Sequence, residues 1–269
     1  MRDIQMNHFP KIGMGTFLSN GEDAYQSVRT ALETGYRFID TAAVYENEKE
    51  VGKAIADSRI ARKDIVVSTK LYAKKIGYQQ AIEGCKKSLE NLNLEYVDIY
   101  FIHWMPRSYE DLLDTWRGME YLYENGYCRA IGICNITLYY LDKLLRDAKI
   151  PPMFCQIEFH PFLQQSVFIE YCRNHKITVI GFGLFAKGAV FQNASLKSIS
   201  ESLDCSVANL VLSWGLQSGI IPLVKSVHPQ RIKDNYQKNI EIPKNFMEEL
   251  KELNDGLRVY RDPENNPYV

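Results

Sequence analysis

Four residues whose side chains suit acid–base chemistry lie at or just beyond the ends of apolar stretches: Asp40, Tyr45, Lys70 and His103. The ordinary pKa of a tyrosine is about 10, so its phenol is a poor acid near neutral pH. A lysine ammonium beside the phenol oxygen lowers that pKa, and an aspartate keeps the lysine charged and in place. A histidine then orients the oxygen that receives the proton. Such a set predicts proton donation to a carbonyl oxygen, which contributes about 10²–10⁴ in rate.

Each of these residues also has a structural explanation when it is taken alone. An aspartate after a strand commonly caps a helix or forms a turn, and a lysine there is commonly solvated. A lone histidine near apolar residues commonly makes a hydrogen bond in the core. The catalytic interpretation therefore needs all of them in one small volume. It also needs a hydride carrier, because a proton donor does not itself break C–H bonds.

A basic group near the C-terminus is the candidate site for such a carrier. Lys225, Ser226 and Arg231 follow the apolar run Ile220–Val224. Their side chains can hold a phosphate monoester through charge-assisted hydrogen bonds. A solvated, basic start of a helix is the alternative interpretation. Phosphate sites beside the last strands of a barrel are frequent, which favours the binding role.

The elements that position these residues repeat along the chain as an apolar run, a turn and a stretch with helical spacing. In Asp23–Thr34, for example, Ala24, Val28 and Ala31 recur on one face. Strands buried on both faces and alternating with helices predict an α/β fold, a single-domain (β/α)₈ TIM barrel over residues 1–269. The apolar runs are Ile12–Phe17, Tyr36–Thr41, Asp64–Leu71, Val97–His103, Ala130–Cys134, Phe154–Phe159, Ile177–Phe182 and Ile220–Val224.

A barrel would bring the candidate residues together, because its working groups lie at the carboxyl ends of the strands. A doubly wound sheet is the alternative fold, since periodicity does not show whether a sheet closes. The glycine-rich signature of that fold, Gly-x-Gly-x-x-Gly after a strand, is missing from the sequence. The segment Gly13–Thr16 lacks the third glycine, which favours the barrel.

The composition is that of an ordinary globular protein, with 46% hydrophobic and 24% charged residues. A net charge of -1 indicates neither nucleic acid nor an anionic membrane as a partner. No run of about 18 apolar residues predicts a transmembrane helix, and residues 1–10 do not resemble a signal peptide. We therefore expect a soluble, cytoplasmic protein. No large exposed apolar stripe is evident, so a monomer is expected.

Metal chemistry is the least supported interpretation of this sequence. None of the six cysteines forms a Cys-x-x-Cys pair, which indicates buried free thiols in a reducing compartment. The histidines lack the spacing of metal ligands; they are His8, His103, His160, His175 and His228.

The motifs that carry these residues resemble the aldo-keto reductase family in order and over nearly the whole chain. The matching segments are Gly35–Ala42 with Tyr45, Asn47, Glu48 and Gly52, then Ser68–Leu71, Asp98–Trp104, Gln156–Pro161 and Pro222–Asn235. The resemblance implies that Asp40, Tyr45, Lys70 and His103 form a catalytic tetrad. It also implies that NADPH binds extended across the barrel mouth, and that an aldehyde or ketone is reduced.

The resemblance also assigns residues to each part of the cofactor. Thr16, Asp40, Asn135 and Gln156 would hold the nicotinamide end, and Phe182 would stack on its ring. Lys225, Ser226 and Arg231 would bind the 2′-phosphate, which favours NADPH over NADH, and Asp234 and Asn235 would contact the adenine.

Two positions depart from the family pattern around the cofactor. Cys134 stands where the family commonly has serine, which weakens or removes one hydrogen bond to the carboxamide. Phe182-Gly183 stands where the family commonly has Tyr-Ser. The phenylalanine keeps a stacking ring, but the glycine removes a serine contact to the pyrophosphate region. His103 follows the pattern, and it favours C=O reduction because members that reduce steroid C=C bonds have glutamate there.

The pocket positions of the family correspond here to Phe17, Val44, Tyr72 and Trp104, which predict an aromatic-walled site for a small-molecule carbonyl substrate. The tail over residues 257–269, with Tyr260, Pro263, Pro267 and Tyr268, is expected to cover the pocket. One alternative function is an NADPH-binding, redox-sensing protein with little turnover. Another, from outside the family, is a barrel enzyme that uses Lys225 and Arg231 to hold a sugar phosphate.

Overall fold

Eight parallel strands form a closed barrel in a computed structural model that describes residues 9–236 and 239–264. Each strand pairs with the next along the chain, and β1 also pairs with β8, which closes the barrel. The predicted TIM barrel is therefore confirmed, and the open, doubly wound sheet is wrong. The strands are β1 (Gly13–Gly15), β2 (Phe38–Asp40), β3 (Val66–Leu71), β4 (Val97–Ile102), β5 (Cys128–Cys134), β6 (Phe154–Glu158), β7 (Thr178–Phe182) and β8 (Ile221–Val224).

The helices lie between the strands, as the alternating pattern predicts. Two of them separate β7 from β8, and two more follow β8. Short 3₁₀ helices occur at Ala43–Tyr45, Arg62–Asp64 and Ala186–Gln192. The α-helices are α1 (Gly21–Thr34), α2 (Glu48–Asp57), α3 (Tyr78–Leu92), α4 (Tyr109–Glu124), α5 (Leu138–Asp147), α6 (Ser166–Asn174), α7 (Ala194–Ser202), α8 (Val207–Gln217), α9 (Pro229–Asp234) and α10 (Lys244–Lys251).

The strands are buried on both faces, which explains their continuous apolar runs. One hydrophobic cluster fills the barrel interior, and a larger one joins the outer face of the strands to the helices. Phe9 packs against the interior cluster, with its ring centroid 5.4 Å from those of Phe38 and Phe154. The interior is therefore a packed core, and the chemistry is confined to the mouth.

The first two strands are shorter than their apolar runs. β1 covers three residues of Ile12–Phe17, and β2 covers three residues of Tyr36–Thr41. Hydrogen bonding nevertheless continues past both ends, since Thr16 N donates to Asp40 O and Thr41 N donates to Ser68 O, at 3.0 and 2.9 Å. These extra bonds hold the loops that leave β1 and β2 close to the barrel mouth.

Several expectations about membranes, metals and thiols are tested over residues 9–236 and 239–264. No helix in this part of the chain is long and apolar enough to cross a membrane. Within the same ranges, no group of three or more His, Cys, Asp or Glu side chains is arranged to hold a metal ion. His8 lies outside the described residues. All six cysteines are free thiols, and five of them are buried.

Candidate active site

A buried ion pair lies at the carboxyl ends of β2 and β3. Lys70 Nζ donates to Asp40 Oδ2 at 2.6 Å and to the backbone oxygen of Thr41 at 2.8 Å. Burial is the largest single influence and lowers the pKa of Lys70, but the charge and hydrogen bond of Asp40, together with Tyr45 and Cys134, offset it and hold this pKa above its ordinary value. Lys70 is therefore a fixed cation at neutral pH.

The other oxygen of Asp40 is held by two further side chains. Ser68 Oγ donates to Asp40 Oδ1 at 2.6 Å, and Gln156 Nε2 donates to the same oxygen at 3.0 Å. All three residues are buried. These donors fix the orientation of the carboxylate that holds Lys70 in place.

Tyr45 ends the 3₁₀ helix that follows β2, and it lies over the ion pair. Lys70 Nζ is 5.1 Å from the centroid of its ring. The rings of His103 and Phe17 lie 5.6 and 5.2 Å from the same ring, measured between centroids. The structure thus brings Asp40, Tyr45, Lys70 and His103 into the single small volume that the catalytic interpretation requires.

The pKa of Tyr45 differs from the expectation based on sequence. The pKa of Tyr45 is raised to about 12, because burial raises it by more than the Lys70 ammonium lowers it. The prediction that Lys70 makes the pKa of Tyr45 lower than its ordinary value is therefore wrong. The phenol keeps its proton throughout the neutral pH range, so Tyr45 is in the form that a proton donor needs.

His103 is neutral at physiological pH. Burial, and then the charge of Lys70, depress its pKa well below the ordinary value. A neutral imidazole has one N–H donor and one acceptor nitrogen. The backbone oxygen of His103 accepts a hydrogen bond from Asn135 Nδ2 at 3.1 Å, which links the loop after β4 to the loop after β5.

The residues assigned to the nicotinamide end surround the ion pair. Thr16 Oγ1 donates to Asp40 O at 3.2 Å, while Asn135 and Gln156 use their amide NH₂ groups on His103 and Asp40. Both side chains are buried at the barrel mouth, and an amide group there can also pair with a carboxamide. Cys134, beside them, is a buried thiol whose pKa burial raises, so it carries no charge.

Phe182 ends β7 and is half-buried. Its ring meets the ring of Tyr260 edge to face, with centroids 5.3 Å apart and an interplanar angle of 79°. An exposed portion of this aromatic side chain at the barrel mouth fits the predicted stacking role.

The residues assigned to the 2′-phosphate and the adenine follow β8. Lys225 is exposed, and its ammonium donates to Leu18 O at 3.1 Å; burial lowers its pKa, against the opposing charge of Asp23. Ser226 is buried, and its hydroxyl accepts from His228 N at 3.0 Å. These contacts leave Lys225 with free N–H donors, whereas Ser226 is partly engaged by its own turn.

The remaining members of that group lie on or after α9. Arg231 is exposed on α9, as Lys225 is just after β8, so two exposed cations follow the last strand in the sequence. Asp234 accepts from Gln230 Nε2 at 2.7 Å, and Asn235 is buried at the end of the helix. Two exposed cations fit a phosphate monoester, and the pair is consistent with the predicted preference for NADPH.

Among the residues assigned to the substrate pocket, Phe17 packs against the ring of Tyr45. Phe17 is 45% exposed, so this wall is open to solvent. Val44 and Tyr72 are half-buried on the loops that follow β2 and β3, and Trp104 is half-buried after His103. The described part of the tail reaches residue 264, and Pro267 and Tyr268 lie outside the described residues.

Two buried polar residues that sequence reasoning left without a role organise the mouth. Asn47 Nδ2 donates to Thr16 O and Ser19 O at 2.9 and 2.7 Å, and its oxygen accepts from Thr41 Oγ1 at 2.7 Å. Glu158 Oε1 accepts hydrogen bonds from the backbone amides of Val259 and Tyr260 in the tail. Both belong to motifs of the chain, but most of their partners are distant in sequence, so spacing carried little signal for them.

The (β/α)₈ barrel hosts many different functions, and comparisons with known proteins identify the family of this one. The model of the Aldo/keto reductase family matches residues 11–255. Glyoxal reductase of Bacillus subtilis (strain 168) is 38% identical over 257 residues, which cover 95% of this chain and 92% of the relative. The chain belongs to the aldo/keto reductase family, and it is an oxidoreductase of that family. The sugar-phosphate interpretation from outside the family is thereby set aside.

Solved structures show the same similarity in three dimensions. An aldo-keto reductase from a Medee basin deep-sea metagenome library superimposes with a TM-score of 0.92 at 36% identity, covering 97% of both chains. A Bombyx mori aldo-keto reductase solved in complex with NADP gives a TM-score of 0.86 at 28% identity, covering 96% of this chain and 94% of that one.

Proposed function

We propose that the protein reduces an aldehyde or ketone to an alcohol with NADPH, and that Tyr45 is the proton donor. The observation that carries this proposal is the convergence of a protonated tyrosine, a buried Lys70–Asp40 ion pair with a 2.6 Å contact, and a neutral histidine. Membership of the family supports the reaction class, and the NADP complex of the Bombyx mori relative supports the cofactor.

The residues at the mouth fit NADPH in three places. The side-chain amides of Asn135 and Gln156 suit the carboxamide, the Phe182 ring suits the nicotinamide, and the cations Lys225 and Arg231 suit the 2′-phosphate. When bound, NADPH supplies the hydride for the carbonyl carbon. NADH has no 2′-phosphate, so the two cations favour NADPH.

The protein's own residues handle the proton. The phenol of Tyr45 donates its proton to the carbonyl oxygen, and Lys70 stabilises the negative charge that develops on the phenolic oxygen. Asp40, held by Ser68 and Gln156, keeps Lys70 in position. The neutral imidazole of His103 donates a hydrogen bond that orients the carbonyl oxygen towards Tyr45. Burial of Lys70 and Asp40 keeps water away from the ion pair and strengthens its field.

The similarity to glyoxal reductase supports a small aldehyde with a neighbouring carbonyl as the substrate class. The open wall at Phe17 and the apolar side chains around Tyr45 suit small substrates with few polar contacts. We propose that the enzyme works as a monomer in the cytoplasm, where a reducing environment maintains its six free thiols.

The experiment that tests the function is an NADPH-oxidation screen with the purified protein. The panel contains glyoxal, methylglyoxal, simple aldehydes, ketones, keto acids, sugars and steroids. We expect turnover with the small oxoaldehydes and slower turnover with bulky ketones. Tight NADPH binding without turnover on any carbonyl would favour the redox-sensing alternative instead.

The tail over residues 257–269 is proposed to cover the pocket and to influence substrate choice. Truncation at Leu257 removes the backbone amides of Val259 and Tyr260, which donate to Glu158 Oε1 at 2.7 and 3.3 Å. We expect KM to change unequally for small and bulky carbonyls, measured by initial rates across the panel. Thermal unfolding of the truncated protein serves as the control for folding. Unchanged KM values for all substrates would contradict a role for the tail.

A further inference from the structure

The described part of the tail binds across the carboxyl ends of β6 and β7. Glu158, which is 2% exposed, accepts hydrogen bonds at Oε1 from Val259 N and Tyr260 N, at 2.7 and 3.3 Å. His160 Nε2 lies 3.1 Å from the same oxygen, and Arg258 Nη1 lies 3.9 Å from Oε2. A buried carboxylate thus anchors the tail through its backbone amides, and the side chain of Arg258 adds an ionic contact to the same residue.

This anchor determines where the side chain of Tyr260 lies. Glu158 and Phe182 are paired residues in the register of β6 and β7. A segment bound to one of them therefore passes over the other. The Tyr260 ring packs edge to face on Phe182, with the centroids 5.3 Å apart. Edge-to-face packing is a favoured geometry for two aromatic rings, and it restricts the rotamers of both.

Gly183 leaves the space that the Tyr260 ring fills. A Cβ atom at residue 183 would lie 2.7 Å from Tyr260 Cε2 and 3.3 Å from Cδ2, closer than van der Waals contact allows. The backbone at Gly183 also has a φ of 73°, which favours glycine. Glycine at residue 183, where the family commonly has serine, thus makes room for the aromatic side chain of Tyr260 from the tail.

Tyr260 also contacts the loop that follows β7. Lys187 Nζ lies 4.7 Å from the centroid of the Tyr260 ring, a favourable cation–π distance. The ring is therefore held between Phe182 on the strand and Lys187 on the loop. One side chain joins the tail, the stacking residue and the next loop.

We propose that Tyr260 is a positioning residue for the cofactor, one that fixes the Phe182 ring from its side so that it is preorganised to stack on the nicotinamide. This proposal rests on the proposed function, because it assumes that Phe182 faces NADPH. Its physical basis is the ordering cost of binding, which is smaller when the stacking ring is already confined to one rotamer. The packing of Tyr260 beside Gly183 thus replaces part of the contact with the cofactor that a serine at residue 183 would provide.

The first test measures the dissociation constant for NADPH by fluorescence titration, together with kcat and KM for glyoxal. In Tyr260→Ala we expect NADPH binding to weaken about 2- to 10-fold, as loss of an aromatic pair predicts. Tyr260→Phe keeps the ring and should restore the parent affinity. Tyr139→Ala, which removes a tyrosine that is 65% exposed on α5, is the matched control.

A double-mutant cycle separates positioning from a general structural role. If Tyr260 acts through Phe182, Tyr260→Ala should not weaken NADPH binding further in a Phe182→Ala background. Gly183→Ser should weaken NADPH binding, because the new Cβ meets the Tyr260 ring. Adding Tyr260→Gly to Gly183→Ser should recover part of that loss, and the remainder reflects backbone strain at residue 183.

The outcomes distinguish this inference from the proposed function. A parent protein that neither binds NADPH nor reduces glyoxal overturns the proposed function and this inference with it. A parent that does both, with NADPH affinity unchanged in Tyr260→Ala, overturns the inference alone. Equal losses from Tyr260→Ala in the parent and Phe182→Ala backgrounds also overturn it, since a merely structural residue would behave in that way.

Discussion

Tyr45→Phe is expected to lower kcat for carbonyl reduction by about 10²–10⁴-fold while NADPH still binds. The substitution removes only the hydroxyl that donates the proton, and it keeps the ring that packs between Phe17 and His103. Initial rates of NADPH oxidation with glyoxal give kcat, and fluorescence titration gives the NADPH affinity.

Two controls make this result specific. Tyr139→Phe removes a hydroxyl from an exposed tyrosine on α5, and it should leave kcat unchanged. Because the pKa of Tyr45 is about 12, the phenol keeps its proton from pH 6 to pH 9, so the parent rate should not fall through loss of this proton in that range. Activity of Tyr45→Phe within a few-fold of the parent would exclude this tyrosine as the donor.

The second large effect is expected from Lys225→Ala combined with Arg231→Ala. Hydrogen bonds to charged groups contribute about 1.5–3 kcal/mol each, and exposure places these two at the lower end. Loss of both should therefore weaken NADPH binding about 100-fold. NADH, which lacks the 2′-phosphate, should bind nearly as before. Dissociation constants for the two nucleotides, measured side by side, give the ratio that matters.

A matched variant on the same helix controls for loss of positive charge in general. Lys233→Ala removes an exposed cation of α9 that has no assigned contact with the cofactor, so its effect on NADPH should be small. Higher ionic strength should weaken NADPH binding more than NADH binding in the parent, because screening acts on the phosphate contacts. Equal loss of affinity for both nucleotides in the double variant would contradict the phosphate assignment.

The alternation of apolar runs and helical stretches predicted parallel strands with helices between them, and the missing glycine-rich signature favoured a barrel over a doubly wound sheet. Period and burial are local properties of a sequence, and the positions of Asp40, Lys70 and His103 at run ends followed from them directly. Once the strands are parallel and consecutive, these ends must meet at one mouth. Closure itself depends on the pairing of β1 with β8, which is separated by more than two hundred residues and leaves no local signature.

The pKa of Tyr45 shows why the sequence could indicate which groups influence it but not how large each influence is. The residue types correctly indicated that Lys70 would lower it. The larger, opposing contribution comes from burial, which depends on how Phe17, His103 and the surrounding loops pack around the phenol. Desolvation is a property of the assembled site, so no spacing in the sequence could supply it.

Local sequence patterns likewise could not predict the contacts that organise the barrel mouth. Gln156 and Asp40 are 116 residues apart, and Glu158 and Tyr260 are 102 residues apart. Each contact forms because the strands bring distant segments to the same rim, where a buried carboxylate must find donors. The sequence therefore defined the strands, the family and the identity of the reacting groups. The partners that hold those groups, and the packing of Tyr260 in the space left by Gly183, arise only when the barrel has closed, because long-range burial selects them.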